Sequence, residues 1–240
     1  MKWLVATVAE TFPETASAVS IRLDVPGWPG HRAGQHVDVR LTAEDGYQAQ
    51  RSYSIASPPG SAQLELTVVR IDDGEVSPYL AGDLDVGDQI ELRGPIGGYF
   101  VWDGTDDRPV LLAGGGSGVV PLMAMLRRHA AIGSAAAMHL VYSARTAGDI
   151  VYREELAKLA DDPHRAVTVT LTRQGDTGWD GKRGRVDAEL LTEAGWPPKV
   201  GPQCFVCGPD TFVEAVANFL VDMGHDEHNV KTERFGPTGG

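Results

Sequence analysis

Four consecutive residues, Arg51-Ser52-Tyr53-Ser54, carry side chains suited to chemistry on a nucleotide. On a β-strand, Arg51 and Tyr53 lie on one face, and Ser52 and Ser54 lie on the other. An arginine fork matches a phosphate, a tyrosine ring provides a flat surface for stacking, and a serine hydroxyl can donate to a ring nitrogen. The segment therefore has what a flavin nucleotide needs, although an ordinary barrel strand with an exposed arginine would look the same.

Two glycine-containing segments are candidate phosphate sites. Gly114-Gly115-Gly116-Ser117-Gly118 follows an apolar run and precedes a predicted helix, whose N-terminus carries partial positive charge. Its spacing departs from GxGxxG because Val119-Val120-Pro121 replaces the third glycine. Gly74-Glu75-Val76-Ser77 precedes a single predicted helical turn, where backbone amides and the Ser77 hydroxyl can bind phosphate. The alternatives are a tight strand-to-helix turn and an N-cap at Ser77 ahead of Pro78.

These segments belong to an ordered set that runs along essentially the whole chain. Further members are Gly94-Pro95-Ile96-Gly97-Gly98-Tyr99-Phe100, Cys207-Gly208-Pro209 and Glu233-Arg234-Phe235. The set resembles the ferredoxin–NADP reductase superfamily of two-domain flavoenzymes. The resemblance implies hydride transfer from a reduced pyridine nucleotide to FAD, then electron transfer to a ferredoxin-like, haem or oxygenase protein. An electron-transfer subunit of a larger oxygenase, or a non-catalytic flavin-binding module, are the alternative functions, and FMN remains an alternative to FAD.

The resemblance also implies roles for individual residues. Arg51 and Ser77 hold the flavin diphosphate, Tyr53 stacks on the isoalloxazine, and Ser54 lies near the flavin N5 atom. Cys207 faces the nicotinamide C4 atom, although a buried core cysteine is the plainer alternative. The full implied cofactor set is Arg51, Ser52, Tyr53, Ser54, Val69, Arg70, Gly74, Val76, Ser77, Gly114, Gly115, Gly116, Ser117, Gly118, Thr172, Arg173, Cys207, Gly208 and Phe235.

The end of the chain departs from the family pattern. Phe235 stands where the resemblance leads us to expect a tyrosine, and Gly236–Gly240 follow it. We expect that tail to turn away, with Phe235 as a neighbour of the flavin. We expect Glu233 to join Ser54 and Cys207 around N5 as a proton-relay residue.

The choice of nucleotide rests on the residues after the third strand of the second domain. In NADP-linked relatives, a serine or threonine followed by arginine binds the 2′-phosphate, and Thr172-Arg173 match that pattern. A second basic residue often lies on the other side of the phosphate in such relatives, and Lys182 matches it only by its approximate distance along the chain. We expect NADPH rather than NADH, and an exposed arginine beside a solvated basic loop is the alternative.

Composition narrows the class of protein. The 240 residues suffice for two modest domains, and a net charge of −12 argues against binding to nucleic acid or an anionic membrane. No signal sequence or membrane span is evident, so we predict a cytoplasmic protein. Cys204 and Cys207 have CxxC spacing, but the segment around them is typical of a strand that enters a turn rather than of a redox pair. The histidines show no metal-ligand spacing. We therefore predict no metal site.

The hydrophobic pattern changes near the middle of the chain. Residues 1–103 contain short alternating strands separated by Gly, Pro and Asp, which predicts an antiparallel β-barrel flavin domain. Residues 109–240 alternate strands and helices, which predicts a doubly wound parallel α/β nucleotide-binding domain. We expect a helix over Ile150–Ala160, and another over Asp210–Met223 that is capped by Asp210. The predicted fold is thus an α+β two-domain protein.

Overall fold

A computed structural model describes residues 2–173 and 178–235 of the chain. Its first half contains six antiparallel strands and one short helix, and its second half contains six strands and four helices. The elements of the first half are β1 Leu4–Pro13, β2 Ala18–Asp24, β3 His36–Thr42, β4 Gln48–Ser54, β5 Leu64–Val69, α1 Ser77–Gly82 and β6 Gln89–Ile96.

The first sheet has the strand order β4-β3-β6-β1-β2-β5. An antiparallel bridge between Ile55 and Leu66 joins the two outer strands and closes the sheet into a barrel. Alternate residues of the strands point inward, and Ile21, Val37 and Leu92 are completely buried in the barrel core. The predicted antiparallel barrel is confirmed.

The second sheet is parallel throughout, with the order β10-β9-β8-β7-β11-β12. The chain starts in the middle of this sheet at β7 and moves outward in both directions, as in a doubly wound fold. Its elements are β7 Val110–Gly115, α2 Val119–Ile132, β8 Met138–Ala144, α3 Arg153–Leu159, β9 Arg165–Leu171, β10 Lys182–Arg183, α4 Ala188–Ala194, β11 Gln203–Pro209, α5 Asp210–Asp222 and β12 Val230–Phe235.

Helices cover both faces of the parallel sheet. Leu112, Leu140 and Phe205 pack with the buried side of α2, whereas Leu111 and Val141 pack with α4 and α5. Both faces of each central strand are therefore apolar, which explains the unbroken hydrophobic runs in the sequence.

The two cysteines of β11 lie on opposite faces of the sheet. Cys204 packs in the cluster with α4 and α5, and Cys207 packs in the cluster with α2. Both are free thiols, and burial raises the pKa of each. Because side chains three residues apart on a strand diverge, this CxxC cannot act as a redox pair.

Several local predictions were wrong at helix ends. Asp210 is the first helical residue of α5 rather than its cap, because Pro209 occupies the N-cap position. Val76, not Ser77, is the N-cap of α1. Helix α3 begins at Arg153 rather than Ile150, because Tyr152 has a left-handed backbone with φ of 59°. No helix in the described residues is long and apolar enough to cross a membrane.

Candidate functional site

The best candidate for a reaction centre lies where the two domains meet. Ser54 ends β4 and stands opposite His36 of β3, while Cys207 of β11 stands beside Glu233 of β12. His36 Nδ1 lies 3.6 Å from Glu233 Oε1, so the barrel and the parallel sheet make contact here. The structure therefore brings together Ser54, Cys207 and Glu233, although Ser54 and Cys207 are 153 residues apart along the chain and Cys207 and Glu233 are 26 apart. His36 makes the connection, and the sequence did not indicate it.

Two buried polar atoms in this group lack partners. Ser54 Oγ and Glu233 Oε2 have no hydrogen bond to any other described residue. A buried polar group without a partner is costly, and such atoms mark places where a ligand completes the structure. Burial, followed by the charge of Glu233, raises the pKa of Cys207 well above its ordinary value, so this thiol stays neutral. A neutral thiol grouped with an unpaired hydroxyl and an unpaired carboxylate oxygen is suited to the edge of a redox-active ring.

Arg51 and Tyr53 lie on one face of β4, as predicted. Tyr53 packs against the barrel core, and burial raises the pKa of its phenol. Arg51 Nη2 donates to Glu75 Oε2 over 2.9 Å, and Tyr47 Oη donates to Glu75 Oε1 over 2.5 Å. Sequence reasoning found the arginine but not that Glu75, within the Gly74–Ser77 segment, competes for its fork.

The remaining residues of this segment are held closely together. Ser77 Oγ accepts a hydrogen bond from the Ile71 amide over 3.1 Å, and Val76 is completely buried. A Cβ atom on Gly74 would lie 3.1 Å from both Ser77 Oγ and the Ile71 carbonyl oxygen, so glycine is favoured at that position. These contacts shape the loop beside Arg51.

The glycine segment after β7 packs tightly against β11. A Cβ atom on Gly118 would lie 2.1 Å from the Cys207 carbonyl oxygen, and one on Gly115 would lie 2.8 Å from the Phe212 ring. A Cβ atom on Gly114 would lie 3.1 Å from Leu122. Gly116 is exposed and has a positive φ of 56°, Ser117 is half-buried, and the segment leads directly into α2. These glycines thus bring the N-terminus of α2 next to Cys207 and Gly208.

A candidate 2′-phosphate site is found at the carboxyl ends of β8 and β9. Thr172 and Arg173 are exposed, and the Arg173 amide donates to the Arg145 carbonyl over 2.9 Å. Arg145 comes just after β8, and Arg173 comes just after β9. Residues that follow adjacent parallel strands lie at the same edge of the sheet, so the sequence could have indicated that Arg145 lies near Arg173. Lys182 Nζ instead binds Glu193 Oε2 over 2.5 Å. The predicted loop between Arg173 and Lys182 includes residues 174–177, which lie outside the described residues.

The other predicted residues are distributed around these groups. Phe235 pairs with Pro209 and packs, half-buried, on the cluster that contains Cys207, as does Val69. Ser52 Oγ donates to Asp38 Oδ1 over 2.7 Å, and Arg70 Nε binds Asp72 over 3.1 Å. The expected turn of the tail falls on residues 236–240, outside the described residues.

Two family models match consecutive parts of the chain. Residues 14–101 match the oxidoreductase FAD-binding domain, and residues 112–218 match the oxidoreductase NAD-binding domain. The unpaired Ser54 and Glu233 atoms and the Arg51 fork fit FAD, and the glycine segment fits a dinucleotide. The cofactors of the chain are therefore FAD and a pyridine nucleotide.

Individual relatives agree with these domains. The chain is 38% identical over 210 residues to ferredoxin–NADP reductase B of Sorangium cellulosum, which covers 85% of this chain and 84% of that protein. It is 34% identical over 211 residues to the glycine betaine monooxygenase reductase subunit of Chromohalobacter salexigens, covering 86% of this chain but 56% of that subunit. The chain thus spans a little over half the length of that relative.

A solved structure has the same architecture. The flavohaem-like FAD/NAD-binding domain of nitric oxide dioxygenase from Vibrio cholerae superposes with a TM-score of 0.86 at 26% identity, covering 98% of this chain and 99% of that one. The match to the Sorangium cellulosum enzyme covers most of both proteins, so the sequence relationship and the fold agree on the family. The chain belongs to the ferredoxin–NADP reductase superfamily of flavin-dependent NAD(P)H oxidoreductases.

Proposed function

We propose that this chain takes electrons from NADPH and passes them through FAD to a separate redox protein. The observation that carries the proposal is the pair of unpartnered buried atoms, Ser54 Oγ and Glu233 Oε2, which the contact between His36 and Glu233 brings to the boundary of the two domains. The domain limits that we propose are 1–103 for the barrel and 109–240 for the nucleotide domain. A cytoplasmic location is part of the same proposal.

The cofactor supplies the redox chemistry: bound FAD accepts a hydride from a nicotinamide and releases its electrons to an acceptor. Arg51 and the Gly74–Ser77 segment hold the flavin diphosphate, and Tyr53 orients the ring by stacking. Ser54 Oγ donates to the flavin edge.

The nucleotide domain positions the other reactant. The Gly114–Gly118 segment and the N-terminus of α2 bind the dinucleotide phosphates. Cys207 would border the nicotinamide without carrying charge, and Phe235, which packs on the same cluster, would be a neighbour of the flavin. Glu233, whose Oε1 lies 3.6 Å from His36 Nδ1, is the proton-relay residue of this proposal.

The acceptor that we propose is a ferredoxin-like, haem or oxygenase component. Support comes from the names of relatives, which include a glycine betaine monooxygenase reductase subunit and a propane 2-monooxygenase reductase component. The net charge of −12 means that docking to an acidic ferredoxin would depend on local positive charge.

The deciding experiment is an anaerobic titration of the purified flavoprotein with NADPH and with NADH, followed by visible absorption. We expect the flavin bands to bleach at one equivalent, and the reduced protein to pass electrons to ferricyanide. A flavin that neither nucleotide bleaches would contradict the proposal and leave a non-catalytic flavin-binding module. Bleaching without transfer to any ferredoxin, haem or oxygenase acceptor would contradict the proposed class of partner.

A further inference from the structure

A network of buried polar groups joins the two domains away from the reaction centre. Arg127 of α2 donates from Nη1 to the Ala56 carbonyl over 2.9 Å and to Glu65 Oε1 over 2.6 Å, both in the barrel domain. Its Nε and Nη2 atoms bind the two carboxylate oxygens of Glu155 on α3 over 2.8 and 2.7 Å. One guanidinium therefore fixes α2 and α3 to the barrel at the same time.

The two central charges of this network are largely hidden from solvent, whereas the Glu155 side chain is 40% exposed. The side chains of Arg127 and Glu65 are 13% and 6% exposed. Burial opposes the charge on Arg127, but the hydrogen bonds to Glu155 and the charge of Glu65 outweigh burial and raise its pKa. Arg22 holds the other oxygen of Glu65 over 3.1 Å. Such a network adds little stability over an apolar contact, but its directional bonds specify one arrangement of the parts.

Tyr152 makes a second connection at the same boundary. Its amide donates to Glu14 Oε2 over 3.0 Å, and its hydroxyl donates to Thr67 Oγ1. Thr67 Oγ1 and Ser20 Oγ are 2.8 Å apart, and Ser20 Oγ donates to Glu14 Oε1 over 2.7 Å, which closes a ring of hydrogen bonds. The Arg127 guanidinium lies 5.1 Å from the centre of the Tyr152 ring.

The backbone of Tyr152 is strained. It is the one residue other than glycine with a positive φ in the described residues, and its side chain is 2% exposed. A bulky residue in this conformation persists only when its surroundings hold it there, and such strain is concentrated at functional sites. The ring of bonds to the barrel is what holds it.

The network is connected to both halves of the reaction centre by short, stiff stretches of chain. Ala56, which accepts from Arg127, is two residues after Ser54 at the end of β4. Arg127 is nine residues after Gly118, or roughly 13 Å along α2, and Gly118 packs against the Cys207 carbonyl. We therefore expect a change at the network to shift Cys207 relative to Ser54.

We propose that Arg127 and Tyr152 are positioning residues: they set the angle at which the nucleotide domain meets the barrel, and thereby the approach of nicotinamide to flavin. They touch neither reactant. The role rests on the proposed function, because it concerns the geometry of that hydride transfer. A misplacement of about 1 Å can cost two orders of magnitude in rate without weakening binding.

The test compares Arg127→Met, Tyr152→Phe and the double variant Arg127→Met/Glu65→Gln with wild type. The double variant avoids leaving the Glu65 charge buried without its partner, which would by itself threaten folding. Arg40→Met is the matched control, because Arg40 makes an equally close two-pronged pair with Glu91 (2.9 and 2.7 Å) within the barrel alone.

Four quantities are measured for each protein: flavin content, the Kd for NADP⁺, the single-turnover rate of flavin reduction, and the long-wavelength charge-transfer absorbance of the nicotinamide–flavin complex. Hydrogen exchange at the Tyr152 amide reports on the network independently of activity. We expect the reduction rate to fall about ten-fold or more, the charge-transfer band to weaken and the Tyr152 amide to exchange faster, while flavin content and Kd stay within about two-fold of wild type. Arg40→Met should match wild type in all of them.

Two results would overturn the proposal. One is an undiminished reduction rate in the double variant despite rapid exchange at Tyr152. The other is a parallel loss of flavin, nucleotide binding and rate, which would make the network a requirement for folding only. If wild type itself is not reduced by NADPH or NADH, the proposed function fails, and the positioning role fails with it. Separately, unchanged hydrogen exchange at the Tyr152 amide in the variants would show that the network does not hold the two domains together.

Discussion

At the scale of residues, the proposed diphosphate site contains both a cation that attracts phosphate, Arg51, and an anion that competes for it, Glu75. The Arg51 fork is the natural ligand for phosphate, yet its Nη2 atom binds Glu75, and Tyr47 holds the other oxygen of the same carboxylate. The Tyr47 hydroxyl, followed by Arg51, lowers the pKa of Glu75, so this carboxylate stays charged at neutral pH. A flavin diphosphate must share Arg51 with that negative charge or displace it.

We therefore expect opposite effects from substitutions of the two partners. Arg51→Ala should weaken FAD binding about ten-fold or more, because a hydrogen bond to a charged group contributes about 1.5–3 kcal/mol. Glu75→Gln should tighten FAD binding, and the gain should shrink as salt screens the repulsion. The measurement is the Kd of FAD for the reconstituted protein at low and high ionic strength.

Glu44→Gln is the control for these two variants, since it removes an equal charge from an exposed position of the same domain. If Arg51→Ala retains flavin fully after gel filtration, Arg51 does not hold the diphosphate. If Glu75→Gln loses flavin, Glu75 orders Arg51 rather than competing for it.

In the proposed function, Arg173 selects the nucleotide, and Arg145 lies beside it. A 2′-phosphate carries close to two negative charges, and an arginine fork recognises it in a way that a hydroxyl does not share. Wild type should favour NADPH, and Arg173→Ala should lower kcat/KM for NADPH about ten-fold or more while leaving that for NADH unchanged. Lys182→Ala should change neither rate by as much, because Lys182 is paired with Glu193. If wild type prefers NADH and Arg173→Ala changes neither rate, Arg173 does not recognise a 2′-phosphate.

At the scale of elements, the junction between α2 and β11 depends on a glycine. Gly118 precedes α2, and its Cα faces the Cys207 carbonyl so closely that any Cβ would overlap it. The overlap is with backbone on both sides, so it cannot be relieved by a change of rotamer. Either the helix or the strand must move, and both carry residues of the proposed nucleotide site.

Gly118→Ala should therefore destabilise the protein by about 1–3 kcal/mol, as overpacking does elsewhere, and should also weaken NADP⁺ binding. Urea unfolding followed by far-UV circular dichroism and a nucleotide titration measure the two effects. Gly148→Ala is the control, because its Cβ would meet only Thr146 Oγ1 at an ordinary 3.7 Å. Equal stability of the two variants would contradict the close contact at Gly118.

The sequence predicts elements where their signal is local. The apolar run before Gly114 and the alternating apolar residues Val37 and Val39 depend on neighbours within a few residues, and both segments form strands. The two-residue strand β10 could not be predicted, because it has no hydrophobic pattern of its own and is defined only by its pairing with β9. The start of α3 was misjudged because the conformation of Tyr152 is imposed by the barrel, through contacts that local periodicity does not contain.

The site follows the same division. Motif residues were found one by one, but the contact between His36 and Glu233 spans most of the chain and could not be derived from spacing. The competition of Glu75 for Arg51 likewise depends on how the loop before α1 folds back on β4. Roles of the individual site residues remain predictions until variants are measured.

At the scale of the whole molecule, stability depends on histidines that are kept neutral. Burial lowers the pKa of four of them below the ordinary value of 6.5, and they are distributed over both domains. The four residues are His31, His129, His139 and His225. Each resists protonation in the folded protein and accepts it readily once unfolded.

The sign of the effect follows from these shifts. A group whose pKa is lower in the folded state stabilises that state above its unfolded pKa, and the benefit is lost as the pH falls through that value. The free energy of unfolding should therefore be highest above about pH 7 and should fall from about pH 6.5 downward. The loss approaches about 1.4 kcal/mol per pH unit for each proton taken up on unfolding. Carboxylates with lowered pKa values, such as Asp38 and Glu91, extend the loss below about pH 4.

Urea midpoints at pH 7.5, 6.5, 5.5 and 4.5 test this expectation. His129 is 1% exposed, stacks on Trp102 with ring centroids 5.9 Å apart, and faces the Ala136 carbonyl over 2.7 Å. His129→Phe keeps the ring and removes the titrating group, so its stability should depend less steeply on pH between 7.5 and 5.5 than that of wild type, whatever its absolute value. His228→Gln, at a side chain that is 83% exposed, should leave the slope unchanged. A wild-type stability that is constant or rises from pH 7.5 to 5.5 would show that burial of these histidines does not govern the acid response.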